Sequence, residues 1–332
     1  VISIETITTS ACFYDPDYPS TEQQDAGQRA LVAEFNRRLE SGELATEEVP
    51  CLCGSEEFSL FAIYDRYRVR QESVLCKRCG LLQSSPRLSP EAFRWFYESD
   101  FYRRLYNPDQ MTPTIEKFRS VAADRLYRFE FVRNNIDLEN IGSVLEIGCG
   151  AGWNLEPYRA AGKKVVGYDQ GPTLVNFGRS LGLDLRHGSA EDVDGNGFDL
   201  IILSHIVEHF LDPVATVRKI AERLRPTGHI YIEVPDADHF ALGGLQAAHT
   251  YWFSRRTLVH YMTRAGLSVG PIENFGPHIG GLFHRAPNPT GPHLEREYAR
   301  MKALIRRYGW RQDIKIFLSR VGLLDFIRQS RR

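Results

Sequence analysis

Short runs of β-branched and aliphatic residues alternate with stretches of helical length through the middle of the chain. Ser143–Gly148, Lys164–Tyr168, Leu183–His187, Phe198–Leu203 and His229–Val234 read as strands, and the segments between them read as helices. That alternation predicts parallel strands joined by crossover helices, a doubly wound α/β sheet. After Pro235 the pattern breaks at the paired glycines Gly243 and Gly244. It resumes with a helix over Arg255–Ala265, for which Ser254 is a suitable N-cap, and with a terminal hairpin of Val269–Phe275 and Gly280–His284. Upstream, Phe58–Ile63 and Val69–Leu75 alternate as a hairpin does. An aromatic and charged stretch holding Phe93, Phe96, Tyr97, Phe101, Tyr102 and Tyr106 reads as helical.

The segments these patterns imply are a polar, partly helical 1–49, a cysteine-bearing 50–90, a helical linker or cap over 91–135, a main domain over 136–287 and a basic helical tail over 288–332. A hydrophobic fraction of 42% is enough for a real core. The net charge of −1 gives no global attraction to nucleic acid. No run is apolar and long enough to span a bilayer, and no leading signal peptide is visible, so the cytoplasm is the expected location. In the tail, eleven Lys/Arg face four Asp/Glu from Leu294 onward, and Ile316, Phe317, Val321, Leu324 and Phe326 recur at roughly helical spacing. This reads either as a helix lying on the inner membrane face or as a solvated helix packed on the body or on a second subunit of a homodimer.

Six cysteines change the picture further. Cys76-Lys77-Arg78-Cys79-Gly80 is a knuckle in which two thiolates can share one ion, and Pro50-Cys51-Leu52-Cys53-Gly54 is a shortened version with one intervening residue. Close pairs in a cytosolic chain favour a metal over disulfides. Four thiolates at Cys51, Cys53, Cys76 and Cys79 suit a tetrahedral, structural zinc; the alternative is four reduced, buried cysteines. The remaining two are Cys12 and Cys149, the latter a small filler inside a glycine loop.

That loop is Val144-Leu145-Glu146-Ile147-Gly148-Cys149-Gly150-Ala151-Gly152, a strand running into a glycine turn and a helix. Asp169 follows Gly148 by 21 residues and closes the next strand, a position suited to a ribose diol. A nicotinamide enzyme would share this much. The third glycine separates the two, because Gly152 follows Gly150 by two residues where the dinucleotide fingerprint has three.

The Glu-x-Gly-x-Gly-x-Gly form resembles the first motif of class I S-adenosylmethionine-dependent methyltransferases. Further landmarks agree in order: Gly188-Ser189-Ala190-Glu191-Asp192, then Phe198-Asp199-Leu200-Ile201 with Ser204-His205-Ile206-Val207-Glu208-His209, then Leu224-Arg225-Pro226-Thr227-Gly228-His229. The resemblance implies a Rossmann-like fold in which Glu146, Gly148 and Gly150 shape the pocket for the methionine end of the cofactor. Asp169 would bind the ribose, Gln170, Ala190 and Glu191 would lie at the adenine, and Ser204 and His205 would lie where the methyl meets its acceptor. Tyr97, Tyr102 and Tyr106 either cap the cofactor or form a satellite core. The cysteine segment, with Pro86-Arg87-Leu88-Ser89 and Phe96-Tyr97-Glu98, resembles bacterial methyltransferases that carry an N-terminal zinc-binding segment and decorate surface-polysaccharide or antibiotic sugars. The acceptor this implies is a sugar hydroxyl, on a lipid-linked or nucleotide-linked glycan or a small molecule. Sugar C-methylation is the alternative, made less apt because the long C-methyltransferases carry a large further C-terminal domain.

Methylating an unactivated hydroxyl needs a proton acceptor. On a helix, His205, Glu208 and His209 would share one face beyond the fourth strand, with His205 as base. The same triplet could instead hold a divalent ion such as magnesium. The quinone-biosynthesis O-methyltransferases have a similar Glu-x-x-Glu-His pattern, with His205 here in place of its first Glu. The plainer reading has Glu208 and His209 packing and capping the helix. His249 is a further candidate base, in the aromatic run Tyr251-Trp252-Phe253 that would wall an acceptor pocket. Two other function classes stand beside this one: a nucleic-acid methyltransferase, disfavoured by the lack of an Asn/Asp-Pro-Pro-Tyr motif, and a non-catalytic cofactor-binding or zinc scaffold, disfavoured by the intact glycine loop.

Overall fold

The β-branched runs of the central segment are strands of one sheet in the computed structural model, which describes residues 5–18, 20, 22–240 and 242–320. They are β1 (Ser143–Ile147), β2 (Lys164–Asp169), β3 (Leu185–His187), β4 (Phe198–Ser204), β5 (Leu224–Pro235), β6 (Leu267–Phe275) and β7 (His278–Arg285). The order across the sheet is β6-β7-β5-β4-β1-β2-β3. Neighbours from β3 to β5 pair in parallel, and β7 runs antiparallel between β5 and β6. The doubly wound α/β fold expected from the alternation is the fold observed. The strand order reverses between β1 and β4, the switch point beside which ligands enter such sheets.

β1 and β4 are covered on both faces, which is why they read as continuous apolar runs: Val144, Leu145, Leu200, Ile201 and Leu203 are fully buried. Val144, Leu200, Ile202, Tyr231 and Leu282 join one core with Phe131 and Val132 from the helix Leu126–Asn135 and with Leu174 and Val175 from the helix Pro172–Ser180. Each such side chain contributes about 1.5–3 kcal/mol on burial. β5 starts earlier than its sequence suggests, because Phe198 pairs with Leu224 before an irregularity passes the register to Leu200 and His229.

The chain divides into two compact units. The sheet unit holds Pro90–Asp236 and Arg255–His293, so the stretch read as a helical linker lies within it, as helices Pro90–Glu98, Phe101–Tyr106, Ile115–Asp124 and Leu126–Asn135. The other unit gathers Val1–Ser89, Ala237–Ser254 and Leu294–Arg332. Its five-stranded sheet runs Glu5–Thr6, Phe58–Tyr64, Arg70–Cys76, Leu82–Ser84 and Tyr251–Trp252 in spatial order. Segment 237–254, read as part of the main domain, therefore supplies an edge strand to the cysteine unit, with Tyr251 opposite Gln83 and Trp252 opposite Leu82. Phe13, Phe61, Leu75, Leu82, Leu245, Trp252, Met301 and Ile305 form the core of this unit.

The N-terminal segment contributes the helix Ala26–Glu40, started by a capping box in which Asp25 accepts from the Gln28 amide at 2.7 Å and Gln28 accepts from the Asp25 amide at 3.1 Å. The basic tail forms the helix Glu297–Arg320. On it Trp310, Ile314 and Phe317 are exposed, whereas Val321, Leu324 and Phe326 and the side chain of Ile316 lie outside the described residues. Among the described residues, no helix is long and apolar enough to cross a membrane.

Candidate functional site

The glycine turn after β1 is built from left-handed backbone, with φ of 72° at Gly148, 56° at Gly150 and 86° at Gly152. Glycine adopts this conformation without steric penalty. A Cβ at Gly148 would press on Ile206, at 3.0 Å from its Cδ1, and one at Gly150 would collide with the Trp153 ring. The turn is thus a cradle lined by backbone. Asp169, at the end of β2, faces it: Oδ2 accepts from the Gly150 amide at 2.9 Å and Oδ1 from the Gly171 amide at 2.6 Å. Oδ1 also accepts from Arg103 Nη2 at 2.7 Å. Arg103, in the aromatic and charged linker beside the expected Tyr102, thus meets Asp169. Gln170 is exposed and its carbonyl lies 2.9 Å from His187 Nε2. Ala190 is half-buried and Glu191 exposed, in a turn held by Asp192, which accepts from the Ser189 amide at 2.7 Å.

A buried polar chain runs from the first strand toward the fifth. Glu146 Oε1 accepts from Asn154 Nδ2 at 2.6 Å, Asn154 Oδ1 accepts from Arg128 Nη1 at 3.1 Å, and Arg128 Nη2 donates to Glu233 Oε1 at 2.5 Å. Burial pushes the Glu146 carboxyl up to about 8, against the pull of Asn154 and of the charges on Arg128 and Arg125. Glu233 is the hub. Its Oε1 also accepts from Tyr127 at 2.9 Å and lies 3.0 Å from His205 Nε2, while Oε2 accepts from Tyr231 at 2.6 Å. Burial opposes its charge, but the His205 and Arg128 partners outweigh that and hold it well below the usual carboxylate range.

The run after β4 differs from the helix expected for it. Val207–His209 is a single 3-10 turn, and His205 itself has a φ of 53°, which ends the strand before any helix starts. The three residues consequently do not share a helical face, although Glu208 stays within reach of both His205 and His209. His205 Nδ1 lies 3.4 Å from Glu208 Oε1 and its Nε2 faces Glu233. His209 Nδ1 lies 2.7 Å from the Tyr97 hydroxyl. Glu208 is buried, and neither of its oxygens has a hydrogen-bond partner among the described residues. The His278 ring, at the start of β7, stands edge-on to His205 with centroids 4.4 Å apart. His205, Glu233 and His278 bring their donor atoms within 4.8 Å of one another. Sequence reasoning missed Arg103, Arg128, Glu233 and His278. Glu233 alone carried a signal, a charged residue within the apolar run Ile230-Tyr231-Ile232-Glu233-Val234.

The remaining candidates lie in the other unit. Cys51, Cys53, Cys76 and Cys79 converge with all four Sγ within 4.8 Å, none in a disulfide. Cys51 Sγ is 3.4 Å from Cys79 Sγ and Cys53 Sγ is 3.6 Å from Cys76 Sγ. His249 is buried, with Nε2 against the Gln246 side chain and its carbonyl accepting from Ser84 Oγ at 2.9 Å.

Residues 115–270 match the family model of a methyltransferase domain. A ubiquinone biosynthesis O-methyltransferase of Chelativorans is 28% identical over 158 residues, covering 42% of this chain and 60% of that protein. One of Xanthomonas oryzae is 32% identical over 114 residues, covering 32% of this chain and 47% of its own. The chain thus spans less than two thirds of the length of either relative. Among solved structures, an S-adenosylmethionine-dependent methyltransferase of Mesorhizobium loti covers 49% of this chain and 99% of its own, at 15% identity and a TM-score of 0.41.

Proposed function

We propose that the chain is an S-adenosylmethionine-dependent O-methyltransferase that acts on a hydroxyl acceptor, with a structural zinc in its cysteine module. One observation carries the reading: within a segment matching a methyltransferase-domain model, the glycine cradle at Gly148–Gly152 faces Asp169 at the carboxyl ends of β1 and β2. The residues fit such a cofactor. Glu146 Oε2, Ser204 Oγ, and Arg103 Nε and Nη1 are buried polar atoms with no hydrogen-bond partner among the described residues, and they cluster at the strand ends that flank the cradle or beside Asp169. Unsatisfied buried groups of this kind gain most from a polar ligand. Asp169, Gly150 and Glu146 would hold it, with Gln170, Ala190 and Glu191 at the adenine and Tyr102 beside the loop. When bound, S-adenosylmethionine supplies a methyl group on a sulfonium, open to in-line displacement.

The residues beyond β4 and β5 would then manage the acceptor proton. His205, with Glu208 and His209 behind it and His278 beside it, forms a histidine and carboxylate cluster at the end of the sheet where acceptors enter. The relatives' names point to a hydroxyl on a quinone precursor, and the zinc-segment resemblance points to one on a sugar; both require the same loss of a proton. The zinc reading rests on the sulfur spacing. A tetrahedron with Zn–S bonds of about 2.3 Å has edges of about 3.8 Å, close to the sulfur separations seen.

The test is binding and transfer. Calorimetry should show one S-adenosylhomocysteine bound per chain. Tritiated methyl transfer should reach a phenolic probe, 3,4-dihydroxybenzoate, or a sugar probe, UDP-glucose, with the product oxygen located by mass spectrometry. Failure to bind S-adenosylhomocysteine would overturn the reading, and transfer to carbon would move it to C-methylation.

A further inference from the structure

The geometry points to His278, not His205, as the ring that takes the acceptor proton, with His205 held between Glu208 and Glu233 as a fixed cation. This rests on the O-methyltransferase reading above.

A base needs a lone pair to offer. His205 has none to spare, because Nδ1 is turned to Glu208 Oε1 at 3.4 Å and Nε2 to Glu233 Oε1 at 3.0 Å. Both carboxylates are buried, with Glu208 at 1% and Glu233 at 0% exposure, so each needs a proton donor or a cation beside it. An imidazolium between them hydrogen-bonds Glu233 and stands as the counter-charge, at 3.4 Å, to Glu208, whose oxygens have no hydrogen-bond partner among the described residues. Burial opposes that charge, but the two carboxylates outweigh it and raise the His205 pKa. Glu233 is further fixed by Arg128, Tyr127 and Tyr231, so its five donors leave it no freedom to turn away. The same saturation argues against a cation at the His205, Glu233 and His278 donor set, since Arg128 already stands against the shared oxygen.

His278 is the contrasting ring. It is half-buried, and neither ring nitrogen has a hydrogen-bond partner among the described residues. The groups facing it are His205 and Arg128, which disfavour its protonation, and Glu233 and Glu208, which favour it. Burial and the His205 charge prevail and push it down to about 4. At neutral pH it therefore keeps its lone pair.

A weak base suffices here. As the acceptor oxygen forms its bond to the methyl carbon, the C–S bond breaks and its electron pair stays on sulfur as a neutral thioether. The oxygen turns positive as this happens, and its proton becomes far more acidic than that of the starting hydroxyl. The proton passes to a ring nitrogen of His278, so the positive charge that began on sulfur ends on the imidazole. His205 acts as a positioning residue and does not exchange its own protons in the step.

The first readout needs no substrate. Long-range ¹H–¹⁵N spectra of the ligand-free, histidine-labelled protein, assigned with His278→Gln and His205→Asn, should show His205 protonated at both nitrogens at neutral pH. His278 should stay neutral until the pH falls below about 5, far from the usual value of about 6.5. A neutral His205, or a His278 that titrates at the usual value, overturns the inference even if the enzyme proves to be a methyltransferase. The second readout is turnover on whichever probe is methylated. His278→Gln should lower kcat by about 10²–10⁴-fold with S-adenosylhomocysteine affinity unchanged. In His205→Asn the acid limb of the pH profile should move upward, because His278 loses the neighbouring cation. Full turnover by His278→Gln returns the role to His205. If no probe is methylated by the wild type, the function proposed above fails, and the spectra still decide the protonation states.

Discussion

Arg103 Nη2 stands 2.7 Å from Asp169 Oδ1 in a pair whose side chains are only 7% and 10% exposed. The residue assigned to the cofactor ribose is therefore also the counter-ion of a buried guanidinium. Opening such a pair from one side is costly, because the survivor keeps its charge. Asp169→Ala leaves Arg103 without an acceptor, since Nε and Nη1 already lack one. Urea melts should show a loss of about 3–5 kcal/mol. Calorimetry should show cofactor binding weakened by about 1.5–3 kcal/mol. Adding Arg103→Met should recover most of the stability and none of the affinity. An Asp169→Ala protein as stable as wild type would mean the pair contributes nothing.

Protein purified without added metal should contain one zinc per chain by elemental analysis. Replacing Cys76 and Cys79 together with serine should remove it and lower the melting temperature. Since the four sulfurs sit beside the end of the strand Arg70–Cys76, the loss should appear first as exchange of the amides in that hairpin. A well-folded, metal-free wild type would exclude the site.

Glu146 makes the ligand-free protein less stable as the pH rises from mildly acidic to about 8. Its carboxyl titrates near 4.5 when unfolded and at about 8 when folded. Between those values the folded chain holds a proton that the unfolded chain has released. Stability should therefore fall as the pH rises through that window, by up to about 1.4 kcal/mol per pH unit. Glu146→Gln cannot titrate and should flatten the profile. Parallel melting curves for the two proteins across this range would show that the carboxyl is already ionised.

Gly150→Ala tests the cradle. The φ of 56° there is one that L-residues adopt at a cost of about 1–2 kcal/mol, and the added carbon meets the Trp153 ring. The shift should also spoil the Gly150 amide donated to Asp169. We expect S-adenosylhomocysteine affinity to fall by about tenfold or more, on top of a stability loss of at least that backbone cost. Unchanged affinity by calorimetry would show that this amide does not shape the site.

What could be read from the chain was what depends on local pattern. β1 and β4 announce themselves because burial on both faces demands unbroken apolar runs, and the glycine turn because only glycine tolerates its backbone. The position of His205 depends instead on a positive φ that no residue type advertises, so a helix was the natural reading of a run that is a strand end and one turn. His278 fell in the gap between two strands read as shorter than they are, and its pairing with His205 exists only once β7 lies beside β5. Arg103 was overshadowed by the tyrosines around it. Segment 237–254 gave no hint of leaving the main domain, because the strand it adds is two residues long.

The three-part path of the cysteine unit bears on how the protein is made. Phe61 and Leu75 leave the ribosome with the first 89 residues, but Trp252, Met301 and Ile305, which complete their core, come from the two later segments. At a synthesis rate of about 5–20 residues per second, the nascent hairpin waits roughly ten seconds or more for its missing partners. During that interval its apolar face and its four thiols are open to the surroundings. Early capture of a metal ion would act as a clasp for the waiting segment, and the sheet unit would be largely translated before its companion closes.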